Sequence, residues 1–169
     1  TRTSPMRCRL TESAPSGPAS ANPGWEWDSR SEPLMPTRLT RSLSFAARHQ
    51  LRVAGWSEAE NLARFGTLTD THGHLYRCGV TVEGPLDPQG MVMDLALLDR
   101  ILAEEVRGRL DGKHLNQDLP EFGAGTPLPV CEALAGAIFG WVARRLPPGV
   151  RLVRVRVAED DTLEAEHTG

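Results

Sequence analysis

The sequence predicts an α+β fold: an antiparallel four-stranded sheet with two helices on one face. Three observations predict it. Strand-like stretches fall near residues 38–51, 74–84 and 151–160. Two longer stretches repeat apolar residues every three or four positions, the spacing of a half-buried helix. The elements follow one another as β-(short α)-β-α-α-β-β, an order that places helices together on one face of an antiparallel sheet.

The first strand, "RLTRSLSFAARHQL" (38–51), mixes apolar and polar residues, with imperfect alternation. "SEAENLARFG" (57–66) carries a capping box, in which Ser57 caps the helix and Glu60 reaches back to it. Gly66 ends that short helix. "HLYRCGVTVEG" (74–84) is β-rich, and the Pro, Asp and Gly of "PLDPQG" (85–90) make a turn. Asp94 then caps a helix whose Leu95, Leu98, Leu102 and Val106 face inward. Residues 111–129 read as a loop. A second helix over 130–146 turns Leu134, Ile138, Phe139 and Val142 inward, and "PPGV" breaks it. "RLVRVRVAED" (151–160) alternates with a period of two, and the last residues supply a short closing strand.

Residues 1–37 differ from the rest. They are rich in Pro, Ser, Gly and Arg and lack periodic hydrophobicity, so they cannot bury enough apolar surface to offset the entropy of ordering. They read as a disordered tail, with Trp25 and Trp27 either in solvent or tucked against the body. Met35 is a candidate alternative translation start. This leaves residues 38–169 as the folded domain.

The full chain of 169 residues suffices for one domain with a real core. Its 40% hydrophobic and 24% charged residues are those of a soluble globular protein. A net charge of −3 leaves no basic footprint for nucleic acid or an anionic membrane. Cys8, Cys78 and Cys131 are too scattered for a disulfide framework. No apolar run is long enough to span a membrane or to read as a signal peptide. A reduced, cytoplasmic protein is expected.

The chemistry gathers around "FGTLTDTHGHLY" (65–76). Residues two apart on a strand point to the same side, so His72 and His74 project together. Such a pair suits zinc, with nitrogen ligands at about 2.0–2.1 Å. The first strand offers one further imidazole, His49. Three histidines with an open fourth position are the ligand set of catalytic zinc. From spacing alone, the pair also reads as ordinary strand surface.

The succession "SFAARHQL … WSEAENLARFG … HGHLYRCGVTVEGPLDPQGMVMDL … LDGKHLNQDLPEF … PVCEALA … RVRVAEDD" resembles the 6-pyruvoyltetrahydropterin synthase family and its bacterial relatives, the 6-carboxytetrahydropterin synthases. The resemblance covers residues 41–167. "GMVMDL" and the "SEAEN…FG" insertion look like the pyruvoyl branch.

The resemblance implies the tunnelling fold, in which subunits join their sheets into a barrel, commonly as a homohexamer. The strand 151–158 would then pair between chains as an exposed edge. It also implies zinc held by His49, His72 and His74, and a pterin substrate whose ring amino and amide N–H groups are anchored by Glu159. A carboxylate suits that task because it accepts two parallel hydrogen bonds. Glu159 equally reads as a solvated residue at a strand end. Cys131 and Glu132 stand where the family has a Thr- or Ser-Glu pair near the pterin pocket.

Two departures are visible. The family's general base is a cysteine between the "FG" and the "HGH", where this chain has Leu68. The family's Asp-His proton relay reads here as Asp111-Gly112. Neither leucine nor glycine moves a proton, and general acid–base assistance is worth roughly 10² to 10⁴-fold.

Asp70, two before His72, faces the metal if the strand extends back that far, as a base or a fourth ligand. It also reads as a turn-capping carboxylate. Cys131 is a candidate displaced nucleophile; His114 reads as a loop histidine with no metal or catalytic role, or else as an imidazole for the relay. Cys78 reads as a buried apolar residue.

The implied activity is that of a zinc-dependent lyase acting on the side chain of 7,8-dihydroneopterin triphosphate or a related pterin, with altered chemistry. Such enzymes serve tetrahydrobiopterin or queuosine biosynthesis. The alternatives are a zinc- and pterin-binding paralogue without catalysis, a repurposed biosynthetic enzyme, and a structural zinc protein.

Overall fold

A computed structural model describes residues 36–123 and 125–169 of the chain. The remaining tail positions, with Cys8, Trp25, Trp27 and Met35, lie outside the described residues. Thr37, which the sequence places in the tail, is the first residue of β1 (Thr37–His49).

After β1 come α1 (Glu58–Phe65), a 3₁₀ turn (Gly66–Thr69) and β2 (His72–Gly84). Next are α2 (Leu95–Leu102), a π-helical turn (Ala103–Arg107) and α3 (Gly108–Leu110). The expected loop 111–129 holds β3 (Lys113–His114) and α4 (Leu115–Asp118). The chain closes with α5 (Cys131–Ala143), β4 (Arg151–Ala158) and β5 (Glu164–Thr168).

The α+β class holds, but the sheet has five strands in the order β3-β1-β2-β4-β5, not four. The fifth is β3, which pairs parallel to β1 through Ala47↔Lys113 and Arg48↔His114. Two residues are too few to leave a periodic signal, which is why the sequence reads as loop there. β4 is not an edge strand. It lies between β2 and β5, because the last residues fold back and pair along it.

Long antiparallel pairing of β1 with β2 sets the frame for the site. Its register runs from Thr37↔Gly84 to His49↔His72. Period-two alternation puts Phe45, Ala47 and His49 on the helix-covered face, with His74, Tyr76, Cys78, Val80 and Val82 beside them. All of these are buried except His74, which is partly so. Phe45 and Tyr76 stack with centroids 5.1 Å apart.

The capping box of α1 and the cap of α2 fall where the sequence puts them. Ser57 Oγ accepts from the Glu60 amide while Glu60 accepts from the Ser57 amide, and Asp94 caps α2 through the Ala96 amide. Leu98, Leu102 and Val106 are buried as expected, but Leu95 is 46% exposed because it opens the helix beyond the edge of the packed layer. The π turn, closed by the Gly108 amide on the Ala103 carbonyl, adds a residue to the helical repeat and brings Val106 and Leu110 both inward. In α5, Leu134, Ile138 and Val142 are buried, while Phe139 is only half-buried, against His167. Trp141, not expected inward, is buried beneath the Arg109 guanidinium, 4.9 Å from its ring centroid. Among the described residues, no helix is long and apolar enough to cross a membrane.

Candidate metal and pterin site

The site lies where β1 ends and β2 begins. His49 is the last residue of β1 and sits opposite His72, the first of β2, while His74 sits opposite Ala47. Register and alternation thus bring three imidazoles to one end of the sheet. Their ring centroids are 4.5 Å (His49–His72), 5.2 Å (His49–His74) and 5.2 Å (His72–His74) apart. One ligating nitrogen from each lies within 4.8 Å of the others.

Backbone carbonyls fix the rings. His49 Nδ1 donates to the Pro129 carbonyl at 2.7 Å, and His72 Nδ1 donates to the Asp70 carbonyl at 2.8 Å. Each bond spends Nδ1 and leaves Nε2 with its lone pair toward the cluster, the usual outer arrangement for metal-binding histidine. His74 Nε2 is buried with no hydrogen-bond partner among the described residues. Burial pushes His49 down to about 4, outweighing the Pro129 bond, with repulsion from His72, His74 and His114 adding to it. A neutral imidazole is what a metal requires. The donor set and its orphaned nitrogen fit zinc.

Beyond the histidines lies an acidic end. Glu159 follows β4, and its amide donates to the Leu163 carbonyl in the turn to β5. The Asp160 carboxylate braces that turn by accepting from the Thr162 and Leu163 amides. This sets Glu159 Oε2 3.9 Å from His74 Nε2. Cys131, at the start of α5, places its thiol 3.8 Å from the same carboxylate oxygen. Burial, then the neighbouring Glu159 charge, pushes that thiol up to about 12. This is the reverse of an activated nucleophile. Glu132, next along α5, is exposed.

The expected proton-transfer residues lie on turns outside the two strands that carry the trio. β2 begins at His72, so Asp70 precedes the strand. Its side chain is exposed, while its carbonyl orients His72. Leu68 is 45% exposed on the 3₁₀ turn, and its carbonyl accepts from the Leu51 amide. Asp111 Oδ1 accepts from the Ala46 amide at 2.8 Å, and the Gly112 amide donates to the Ala46 carbonyl at 2.7 Å. These two bonds pin the Asp111–Gly112 turn to the outer edge of β1.

Gly112 is left-handed, with φ of 74°, and a side chain there would meet nothing within 4 Å. An open cleft of about 450 Å³ runs along this edge, and both His74 and Gly112 line it. His114 is buried behind the strand ends, its Nε2 3.2 Å from Thr71 Oγ1. Cys78 is buried, and burial pushes its thiol up to about 12, which fits the apolar reading.

Two contributors escaped the sequence reading. Pro129 acts through its carbonyl, which no side-chain pattern reveals. Tyr76 was legible: it is two residues beyond His74, hence on the same face, and its hydroxyl lies 3.5 Å from His49 Nε2. Burial, then the charges of Glu159 and Cys131, holds its phenol above the ordinary tyrosine range.

These features define an α+β protein with a candidate catalytic metal centre at the end of a β1–β2 ribbon. Residues 38–169 match the family model of 6-pyruvoyl tetrahydropterin synthase. The chain is 39% identical over 127 residues to the 6-pyruvoyl tetrahydrobiopterin synthase of Homo sapiens, covering 73% of this chain and 86% of that protein. It is 36% identical over 124 residues to that of Drosophila melanogaster, covering 72% of this chain and 73% of that protein. The solved 6-pyruvoyl tetrahydropterin synthase of Caenorhabditis elegans superposes with a TM-score of 0.73 at 29% identity, covering 80% of this chain and 96% of that one. The chain belongs to the 6-pyruvoyl tetrahydropterin synthase family, and its fold is the tunnelling fold.

Proposed function

We propose that the protein is a zinc-dependent lyase acting on the side chain of 7,8-dihydroneopterin triphosphate or a closely related pterin, by chemistry altered from that of the family. The observation that carries this reading is the convergence of three imidazoles on one point, with the Glu159 carboxylate beside them. His49, His72 and His74 would hold the zinc, which supplies a Lewis acid for the oxygen atoms of the substrate side chain.

Glu159 accepts the pterin's amino and amide N–H groups, two parallel bonds to one carboxylate. Cys131 and Glu132 border that anchor. Leu68 and Gly112 leave the rim without two of the family's acid–base groups, so Asp111 and Asp70 are the remaining carboxylates for proton transfer. Retro-aldol cleavage of the side chain is one altered outcome. We further propose a cytoplasmic homohexamer in which β5 and the part of the β1 edge that pairs with no strand, beyond its two-residue pairing with β3, join between chains.

A second reading is favoured by the same two positions: a zinc- and pterin-binding paralogue without turnover. One experiment separates them. Zinc is quantified in the purified protein, which is then incubated with 7,8-dihydroneopterin triphosphate while triphosphate and acetaldehyde are followed. Release of either supports the lyase. Zinc and pterin binding without product supports the paralogue. A protein that holds no zinc and binds no dihydropterin overturns both.

A further inference from the structure

We infer that the Tyr76 hydroxyl is a specificity-determining hydrogen-bond donor to the side-chain oxygen of the bound pterin; this rests on the pterin reading above. Tyr76 continues the row of His72 and His74 on the same face of β2. Its ring centroid is 5.4 Å from that of His74 and 6.2 Å from that of His49. The residue is fully buried, and its stacking on Phe45, at an interplanar angle of 14°, fixes where the hydroxyl points.

Among the described residues, the hydrogen-bond partner of that hydroxyl is His49 Nε2, at a long 3.5 Å. His49 Nδ1 is spent on Pro129, so Nε2 is the one ring atom left to ligate a metal. An imidazole nitrogen has a single in-plane lone pair, which serves a metal or a phenol but not both.

Metal binding at His49 therefore removes the acceptor of Tyr76. It leaves a buried O–H at the centre without the one hydrogen-bond partner it has among the described residues. Buried donors are rarely left in that state, because the lost hydration is not repaid. The acceptor that arrives with the substrate is an oxygen of its side chain, brought to the same centre. The ligands so selected are pterins with a hydroxyl or carbonyl on the C6 side chain, in preference to those with an alkyl group there.

The test uses the full-length, zinc-loaded protein and Tyr76→Phe, which keeps the ring and its stacking. Calorimetric titrations are run with 7,8-dihydroneopterin and with 6-methyl-7,8-dihydropterin, which has no side-chain oxygen. The variant should keep its zinc stoichiometry and bind zinc at least as tightly, since a competitor for His49 has gone. It should bind dihydroneopterin about tenfold more weakly and the 6-methyl compound unchanged. Equal weakening for both ligands, no weakening for either, or loss of zinc from Tyr76→Phe overturns the inference while leaving the pterin reading in place. Failure of the unmodified protein to bind either compound overturns the pterin reading and, with it, this one.

Discussion

The β1–β2 ribbon and the turns around it treat their functional positions in opposite ways. In the ribbon, His49 is 2% exposed, Tyr76 and Phe45 are stacked in the core, and each imidazole is placed by strand register. In the turns, Leu68 is 45% exposed and a side chain at Gly112 would meet open space. The groups proposed to bind metal occupy positions that folding itself constrains. The positions proposed for acid–base chemistry lie on turns at the rim of the site: the exposed side chain at 68 leaves folding nearly indifferent, whereas the left-handed backbone at 112 favours glycine although the space beside it is open. This asymmetry fits the reading proposed above, in which the three histidines and Glu159 bind while the rim differs at Leu68 and Gly112.

The sharpest way to break that comparison is to remove a ribbon histidine. His72→Ala should abolish stoichiometric zinc, read by elemental analysis of the dialysed protein. Full retention would show that the trio is not the metal centre.

Stability offers the next contrast. Phe45→Ala should cost about 3–5 kcal/mol in urea denaturation, as for a buried aromatic. Leu68→Ala should change stability by less than about 0.5 kcal/mol, as for an exposed position. Comparable losses at both positions would contradict the division.

Restoring a thiol sharpens the functional half. Leu68→Cys should raise triphosphate release from 7,8-dihydroneopterin triphosphate by roughly 10²-fold, the lower range of acid–base assistance. No gain would mean that the turn does not present position 68 to the substrate.

A smaller effect is expected at the pinned turn. Asp111→Ala should lower stability by about 1 kcal/mol, because the Ala46 amide loses its acceptor. Asp111→Asn keeps an acceptor and should recover that stability. If turnover recovers with it, Asp111 holds the strand and moves no proton.

The smallest effect is a non-reaction. Both Cys78 and Cys131 are pushed up to about 12, so at pH 8 each is almost wholly the protonated thiol. Peptide mapping after iodoacetamide should find both unlabelled in the native protein and labelled in urea. Rapid native labelling of Cys131 would revive it as a nucleophile.

Much of this molecule was legible in advance, for identifiable reasons. The caps at Ser57 and Asp94 are local hydrogen bonds between near neighbours, so their signal is contained in a few residues. His72 and His74 follow from the pleat of one strand. Leu95 was misplaced and Trp141 was overlooked because periodicity gives the angle of a residue about its helix, not how far along that helix its neighbours extend. Strand β3 was missed because its two residues owe their conformation to β1 and not to their own pattern.

What the sequence by itself determined is the inventory: which imidazoles share a strand face, which carboxylate follows β4, and that Leu68 and Gly112 carry no side chain able to move a proton. Only the tertiary structure decided how that inventory is used. It set His49 opposite His72, turned Asp111 toward Ala46, kept Asp70 out of the strand and aimed Tyr76 at His49. The reason is that periodicity along a chain reports the face on which a residue lies. Contacts between residues far apart in sequence depend on register and packing, and these exist only once the sheet and its helices have closed on one another.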